Sequence, residues 1–288
     1  MTAHLALGGT GFLASAFAGP HDRIPFFVTF ALYLLGFLAF VVYGAGRKAG
    51  VARAATALMA LGVVVHTVAI ALRWQESGHV PFSNMYEYAN IMAWMAVVSY
   101  LVIMWRYNKP IIGLVVSPLV VALIVSASLL PKDVTTQLVP ALQSYWLPIH
   151  VVLAALGEGA FLVATAVSVM YLIVEKRTAT GGRAGSVTPE TLEEINYKAL
   201  SIGYPLFTVG ALFAGAIWAY TAWGSFWSWD PKEVGALVVW LFYTLYLHGR
   251  YNHGWRGRKA AWMSVIGFIM ILASFFGNLI LGGQHAYG

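Results

Sequence analysis

The sequence predicts an all-α protein: a polytopic membrane bundle of about eight transmembrane helices, with both termini on the extracytoplasmic side. Three observations predict it. The 288 residues are 60% hydrophobic and 10% charged, whereas about a quarter of the residues of soluble domains are charged. Apolar runs of roughly the 20 residues needed to cross a bilayer recur eight times. The basic residues sit in short clusters between those runs and are unequally divided between alternate connections.

Residues 1–24 contain small residues resembling a cleavage site but lack the basic region of a signal peptide. They read as an extracytoplasmic tail or short interfacial helix ahead of a single transmembrane domain, 25–288. The first two spans, 25–45 and 54–72, are separated by Arg47, Lys48 and Arg53. In GHVPFSNMYEY, Asn84 with Glu87 three residues on is a helix-capping pattern that opens the third span, 88–105. The fourth, 111–130, follows Arg106 and Lys109; the fifth, 150–174, opens in SYWLPIHVV. The polar insertion EKRTATGGRAGSVTPETLEEINYK reads as a loop with a short surface helix after Thr188, ahead of the sixth span, 203–222. In WGSFWSWDPKE, residues 223–233, Asp230 has the place of an N-cap, Pro231 the first helical position and Glu233 the third, which starts the seventh span, 233–249. The eighth covers 261–281.

Counting Lys and Arg on alternate sides orients the bundle. Arg47, Lys48, Arg53, Arg106, Lys109, Lys176, Arg177, Arg183, Lys198, Arg250, Arg256, Arg258 and Lys259 fall on one side, and Arg23, Arg73, Lys132 and Lys232 on the other. Thirteen against four makes the first side cytoplasmic. The formal charge of +6 is therefore a mark of membrane orientation and not of nucleic-acid binding. The tryptophan-rich stretch falls outside, between spans six and seven. An interfacial aromatic belt would account for scattered tryptophans. Against that, Trp223, Phe226, Trp227 and Trp229 crowd into one connection, offering a flat apolar surface to a flat apolar ligand.

The chain has no cysteine, which excludes structural disulfides, thiolate metal sites, iron–sulfur ligation and thiol redox chemistry. Any iron is left to the eight histidines, methionine or oxygen. His150 opens span five and His285 follows span eight, both level with the aromatic stretch. His248 lies at the far end of span seven, roughly 24 Å from Lys232 at 1.5 Å per residue, so no single metal joins it to the outer pair. A histidine at a helix C-terminus also has a purely structural explanation in the helix dipole. His66, within span two, reads as a hydrogen-bonded core histidine; His4, His21, His79 and His253 carry no pattern beyond loop position. Glu158, about two turns below His150, either tunes that residue, pairs with a cation or is protonated.

WGSFWSWDPKE resembles the WWD signature of heme-handling membrane proteins. Its continuation EVGALVVWLFYTLYLHGRY, with GHVPFSNMYEYAN, YWLPIHV and GGQHAYG, resembles the CcsA (ResC) family of cytochrome c biogenesis proteins from about residue 60 onward. The resemblance implies a multi-pass protein of the bacterial cytoplasmic (inner) membrane that binds heme b at the outer face. His150 and His285 would be axial ligands, Trp223, Trp227, Trp229 and Asp230 would form the heme-binding loop (223–230), and His248 would be a transient intramembrane heme site. It also implies a membrane partner, CcsB (ResB), and a substrate, apocytochrome c, whose Cys-x-x-Cys-His segment takes the heme through thioether bonds. This subunit would then present heme and position reactants within a two-component synthase, with no acid–base residue of its own; Lys232 or Arg73 would meet the propionates. Rival readings are a CcmC-type protein that loads a heme chaperone, a multispanning small-molecule transporter gated by the aromatic loop, and a quinone-reactive electron-transfer subunit.

Overall fold

The computed structural model describes residues 21–281 apart from 135 and 182–186, together with Gly283, and at 278–281 the backbone alone. Residues 1–20 of the expected tail, and His4 and His285, lie outside the described residues. The described chain forms eight long helices and no strand: α1 (Arg23–Gly46), α2 (Ala49–Ser77), α3 (Met85–Tyr107), α4 (Gly113–Leu129), α5 (Trp146–Ala179), α6 (Pro189–Trp223), α7 (Pro231–Asn252) and α8 (Gly257–Leu281). Seven have the length and hydropathy to cross a membrane, so the chain is a multi-pass integral membrane protein. The exception is α7, whose first turn carries Lys232 and Glu233 and whose last carries Arg250.

One expectation about span six changes. The segment after Thr188 is not a separate surface helix: Thr188 caps it through Thr191 N–H, and it continues into the span as one helix to Trp223. Within that helix, Pro205 has no N–H for its turn, and Thr208–Ala214 then winds as a π-helix before α-geometry resumes at Gly215. Such wide turns are uncommon and recur at functional sites.

The loops confirm an up-and-down bundle with two distinct ends. At the tryptophan end, Arg73 closing α2 meets the start of α1, the start of α3 and the segment after α4. Its Nε donates to Glu87 at 2.9 Å, its two terminal nitrogens donate to the carbonyls of Lys132 and Asp133 at 2.8 and 2.6 Å, and Asp22 lies 3.8 Å away. Burial raises the Asp22 carboxyl above its ordinary range, while Arg73 and the Tyr86 hydroxyl draw it back down. At the opposite end, Arg250 of α7 pairs with Glu193 of α6 at 2.6 Å, and Glu193 also takes the Gly257 N–H that opens α8.

Helix α5 is the pivot: 78% of its apolar window is buried, against 28% for α1 and α2. It packs on α3, α4, α6 and α8. In lipid the hydrophobic effect does not press helices together, so close approach through small residues and interhelical hydrogen bonds carry the packing. Both are present. A β-carbon on Gly157 of α5 would stand 2.8 Å from the Phe207 backbone nitrogen of α6. Deeper in the bundle, Asn196 of α6 donates to Ala164 carbonyl (3.0 Å) and to the hydroxyls of Ser168 (2.7 Å) and Ser264 (3.0 Å), and accepts from Tyr246 at 2.7 Å. That one side chain ties α5, α6, α7 and α8.

His66 is buried, with the Tyr33 hydroxyl 3.3 Å from its Nδ1, in accord with a core role. Replacing Arg73 by Met leaves the Glu87 and Asp22 carboxylates buried without their cation. The expected loss is about 3–5 kcal/mol, read as a lowered unfolding midpoint of the detergent-solubilised protein; an unchanged midpoint would show that the ion cluster is not structural.

Candidate functional site: a cavity beneath the tryptophan loop

A cavity of about 1150 Å3, counting its open mouth, lies between the first turns of α3 and α7, the upper half of α5, the π segment of α6 and the end of α8. Phe226 and Trp227 of the connecting loop, His150, Trp218, Tyr88, Glu158 and Lys232 are in its walls.

His150 is set by the π segment. Its Nδ1 lies 2.8 Å from the Gly210 carbonyl oxygen, which can only accept, so Nδ1 carries the proton and Nε2 keeps the lone pair. This is the second-sphere arrangement that fixes ligating histidines in metal sites. The bond needs two glycines: a β-carbon at Gly210 would stand 2.4 Å from Ala154 N, and one at Gly215 would stand 3.0 Å from His150 Nδ1. On its other side the imidazole stacks on Trp218, with centroids 5.7 Å apart and planes within 5°. Trp218 is itself held by its indole N–H on Ala141 carbonyl at 2.9 Å.

The tryptophans do not form one flat shelf, which corrects the sequence reading. Trp223 is the last residue of α6 and meets Trp218 edge-on at 68°; Trp227 meets Trp229 at 90°. Trp227 lines the cavity, whereas Trp229 is 71% exposed and takes a left-handed φ of +61°. For so bulky a residue that conformation is an outlier that its surroundings must impose. Glu233 imposes it: Oε2 accepts from Ser228 N–H (2.8 Å), the Ser228 hydroxyl (3.2 Å) and Asp230 N–H (3.2 Å), bracketing Trp229 on both sides.

Asp230 is the buried cap of α7 in a full capping box, as its spacing predicts, and does not line the cavity. The Asn84 cap also forms, accepting from Glu87 N–H at 3.0 Å. The chain after α8 returns to the Asp230 cap: a β-carbon on Gly283 (φ +124°) would stand 2.4 Å from Asp230 Oδ2. His285 follows two residues later and lies outside the described residues. His248 is separate from all of this. It is exposed on α7, with Asn252 3.0 Å from its Nδ1 and the His253 ring 5.5 Å away.

On the floor, Tyr88 donates its hydroxyl to Glu158 at 2.7 Å, and the Lys232 ammonium stands 4.7 Å over the Tyr88 ring. The geometry selects none of the three readings open for Glu158 and adds another role, as the hydrogen-bond acceptor of Tyr88 in the cavity wall. Trp218, Gly210, Gly215 and Tyr88 are the site residues that the sequence did not announce.

A family profile described as "Cytochrome C assembly protein" matches residues 82–285, which takes in the cavity, the loop and the return of the C-terminal segment. The chain belongs to the cytochrome c assembly protein family. Its relatives include proteins named cytochrome c biogenesis protein CcsA. The one from Synechococcus sp. (strain CC9605) is 35% identical over 91% of this chain and 95% of its own, and the one from Microcystis aeruginosa is 33% identical over 89% and 95%. A solved structure named cytochrome c heme lyase CcmF superposes on 97% of this chain with a TM-score of 0.67 at 16% identity, a likeness of fold; this chain spans 51% of its length. The profile begins at Phe82, so this cytochrome c assembly protein has its family signature in α3–α8, which include every helix that walls the cavity, and not in the α1–α2 hairpin.

Because Gly283 and the cap share one contact, their energetic effects are coupled. Asp230→Ala should cost about 1 kcal/mol of apparent stability. Gly283→Ala, forced against the carboxylate, should cost stability in the wild type and much less in the Asp230→Ala background. Additive losses in that double-mutant cycle of unfolding midpoints would show that the two do not touch.

Proposed function

We propose that this protein receives heme in the cavity beneath the tryptophan loop and presents it for covalent attachment to apocytochrome c. The observation that carries the reading is His150: a cavity-facing imidazole whose Nδ1–H is tied to Gly210 and whose Nε2 lone pair is thereby reserved for an iron. The residues fit a porphyrin in other respects. The walls are aromatic and aliphatic, with Trp227 and Phe226 at the mouth and polar groups confined to a few positions, as ligand pockets generally are.

Bound heme would supply an iron that imidazoles can ligate and vinyl groups able to accept the cysteine thiols of apocytochrome c. The chain's own part is to bind, orient and shield. His150 would hold the iron, together with His285. In support, the C-terminal segment reaches Gly283 against the Asp230 cap, at the foot of the same loop. Asp230 and Glu233 act through the loop's shape and not on the ligand. Trp223 backs Trp218, and Trp229 projects outward, available to the incoming substrate.

The basic residues cluster at the end opposite the loop, which supports placing the loop on the extracytoplasmic side of the cytoplasmic membrane. His248 at that other end serves heme before it reaches the cavity. Its exposure on α7 supports a second ligand contributed by a membrane partner of the CcsB (ResB) type. Heme b is the form expected, since the thioether bonds are made after binding.

Absorption spectra and heme content of the protein purified with its partner test this. His150→Ala and His285→Ala should each alter the iron spectrum and abolish cytochrome c maturation, while His248→Ala should deplete heme from the cavity. Full heme with unchanged spectra in all three variants would refute the assignment. The absence of native cysteine gives a clean test of sidedness. Ser225→Cys should react in intact cells with a membrane-impermeant maleimide, and Thr180→Cys should not; the reverse pattern would invert the topology.

A further inference from the structure

Two basic side chains at the tryptophan end were candidates to meet an acidic ligand, and the structure separates them. Arg73 is fully engaged by Glu87 and by the carbonyls of Lys132 and Asp133, away from the large cavity. Lys232 lines that cavity, half-buried, and its ammonium rests over the Tyr88 ring. Its backbone N–H belongs to the Asp230 cap, but among the described residues the ammonium makes no hydrogen bond and no ion pair.

The acids nearest to it in the cavity wall are each engaged elsewhere through Oε2, and neither lies within ion-pair distance of the ammonium. Glu158 accepts the Tyr88 hydroxyl, and Glu233 Oε2 accepts the loop N–H groups and a serine hydroxyl. The position also makes no sense for helix formation. Lys232 is the second residue of α7, where the positive end of the helix dipole favours acids and disfavours a cation. Asp230 and Glu233 already complete the cap. An ammonium kept in an apolar wall without an acceptor is costly unless a ligand brings one.

We propose that Lys232 is the carboxylate anchor of the cavity, pairing with a propionate of the porphyrin. This rests on the heme reading above and deepens it. A porphyrin of the heme b type carries its carboxylates on one edge and its vinyls on the opposite edge. Holding the carboxylate edge at Lys232 turns the vinyl edge away from it, so this one residue decides which edge the substrate thiols meet. Lysine suits the task, being a compact cation on a flexible stem that follows a carboxylate without demanding a planar fork.

The test is a titration of the purified protein with iron protoporphyrin IX and with its dimethyl ester, read by Soret absorbance and by quenching of tryptophan fluorescence. The quantity compared is the ratio of the two affinities in each variant, so that the ester's greater partition into micelles cancels. In Lys232→Met the preference for the diacid should fall by about ten- to a hundredfold relative to wild type, through weaker diacid binding with ester binding unchanged. Lys232→Arg should keep most of the preference. An equal ratio in wild type and Lys232→Met overturns the anchor while leaving the cavity reading intact. His150→Ala should change the iron spectrum with both porphyrins yet keep the diacid preference, which separates anchoring from ligation. If the wild type binds neither porphyrin, the cavity reading fails and the anchor with it.

Discussion

The hydrogen bond from His150 to the Gly210 carbonyl is the constraint on which the rest of the site depends. It joins the pivot helix α5 to the wide turn of α6 at the height of the cavity. Gly210 also accepts the Gly215 N–H, so one carbonyl closes the π turn and orients the imidazole together. Neither function survives a side chain at that position, because the backbone of α5 lies against it. The stack of His150 on Trp218 then follows from where α-geometry resumes.

Around this contact the chain satisfies polar groups in a medium that offers no water to do so. Arg73 gathers the loops at the tryptophan end, and Asn196 gathers four helices at the other. Between them the cavity brings titratable groups into one wall: Glu158, Lys232 and His150. A cavity framed in this way is held in shape by the bundle itself, and a preformed site does not consume binding energy in ordering the protein.

Much of the scaffold was legible in the sequence because membrane spans are a composition signal. All eight helices fall where the apolar runs are, and Asp230 with Glu233 was readable as a cap because that motif is local. What failed was what depends on geometry between distant positions. The start of α6 lies ahead of its apolar run, because Pro189–Lys198 is rich in polar residues and its continuity with the span is not a composition signal. A run of aromatics suggested a single surface, but a left-handed residue and a helix end turn successive indoles across one another. His150 was identified by depth, whereas its partner Gly210, 60 residues later, carries no sequence mark of its role.

The π turn also fixes a count. Each residue of an α-helix advances the chain by about 100° around the axis, from 3.6 residues per turn, so Thr208–Ala214 sets the phase at which Trp218 and the loop beyond it emerge. Removing one residue there would regularise the helix while swinging the aromatic cover off the imidazole. The interval from Pro205 to Asp230 therefore behaves as one unit of fixed length, in which an insertion or deletion is felt at the cavity mouth.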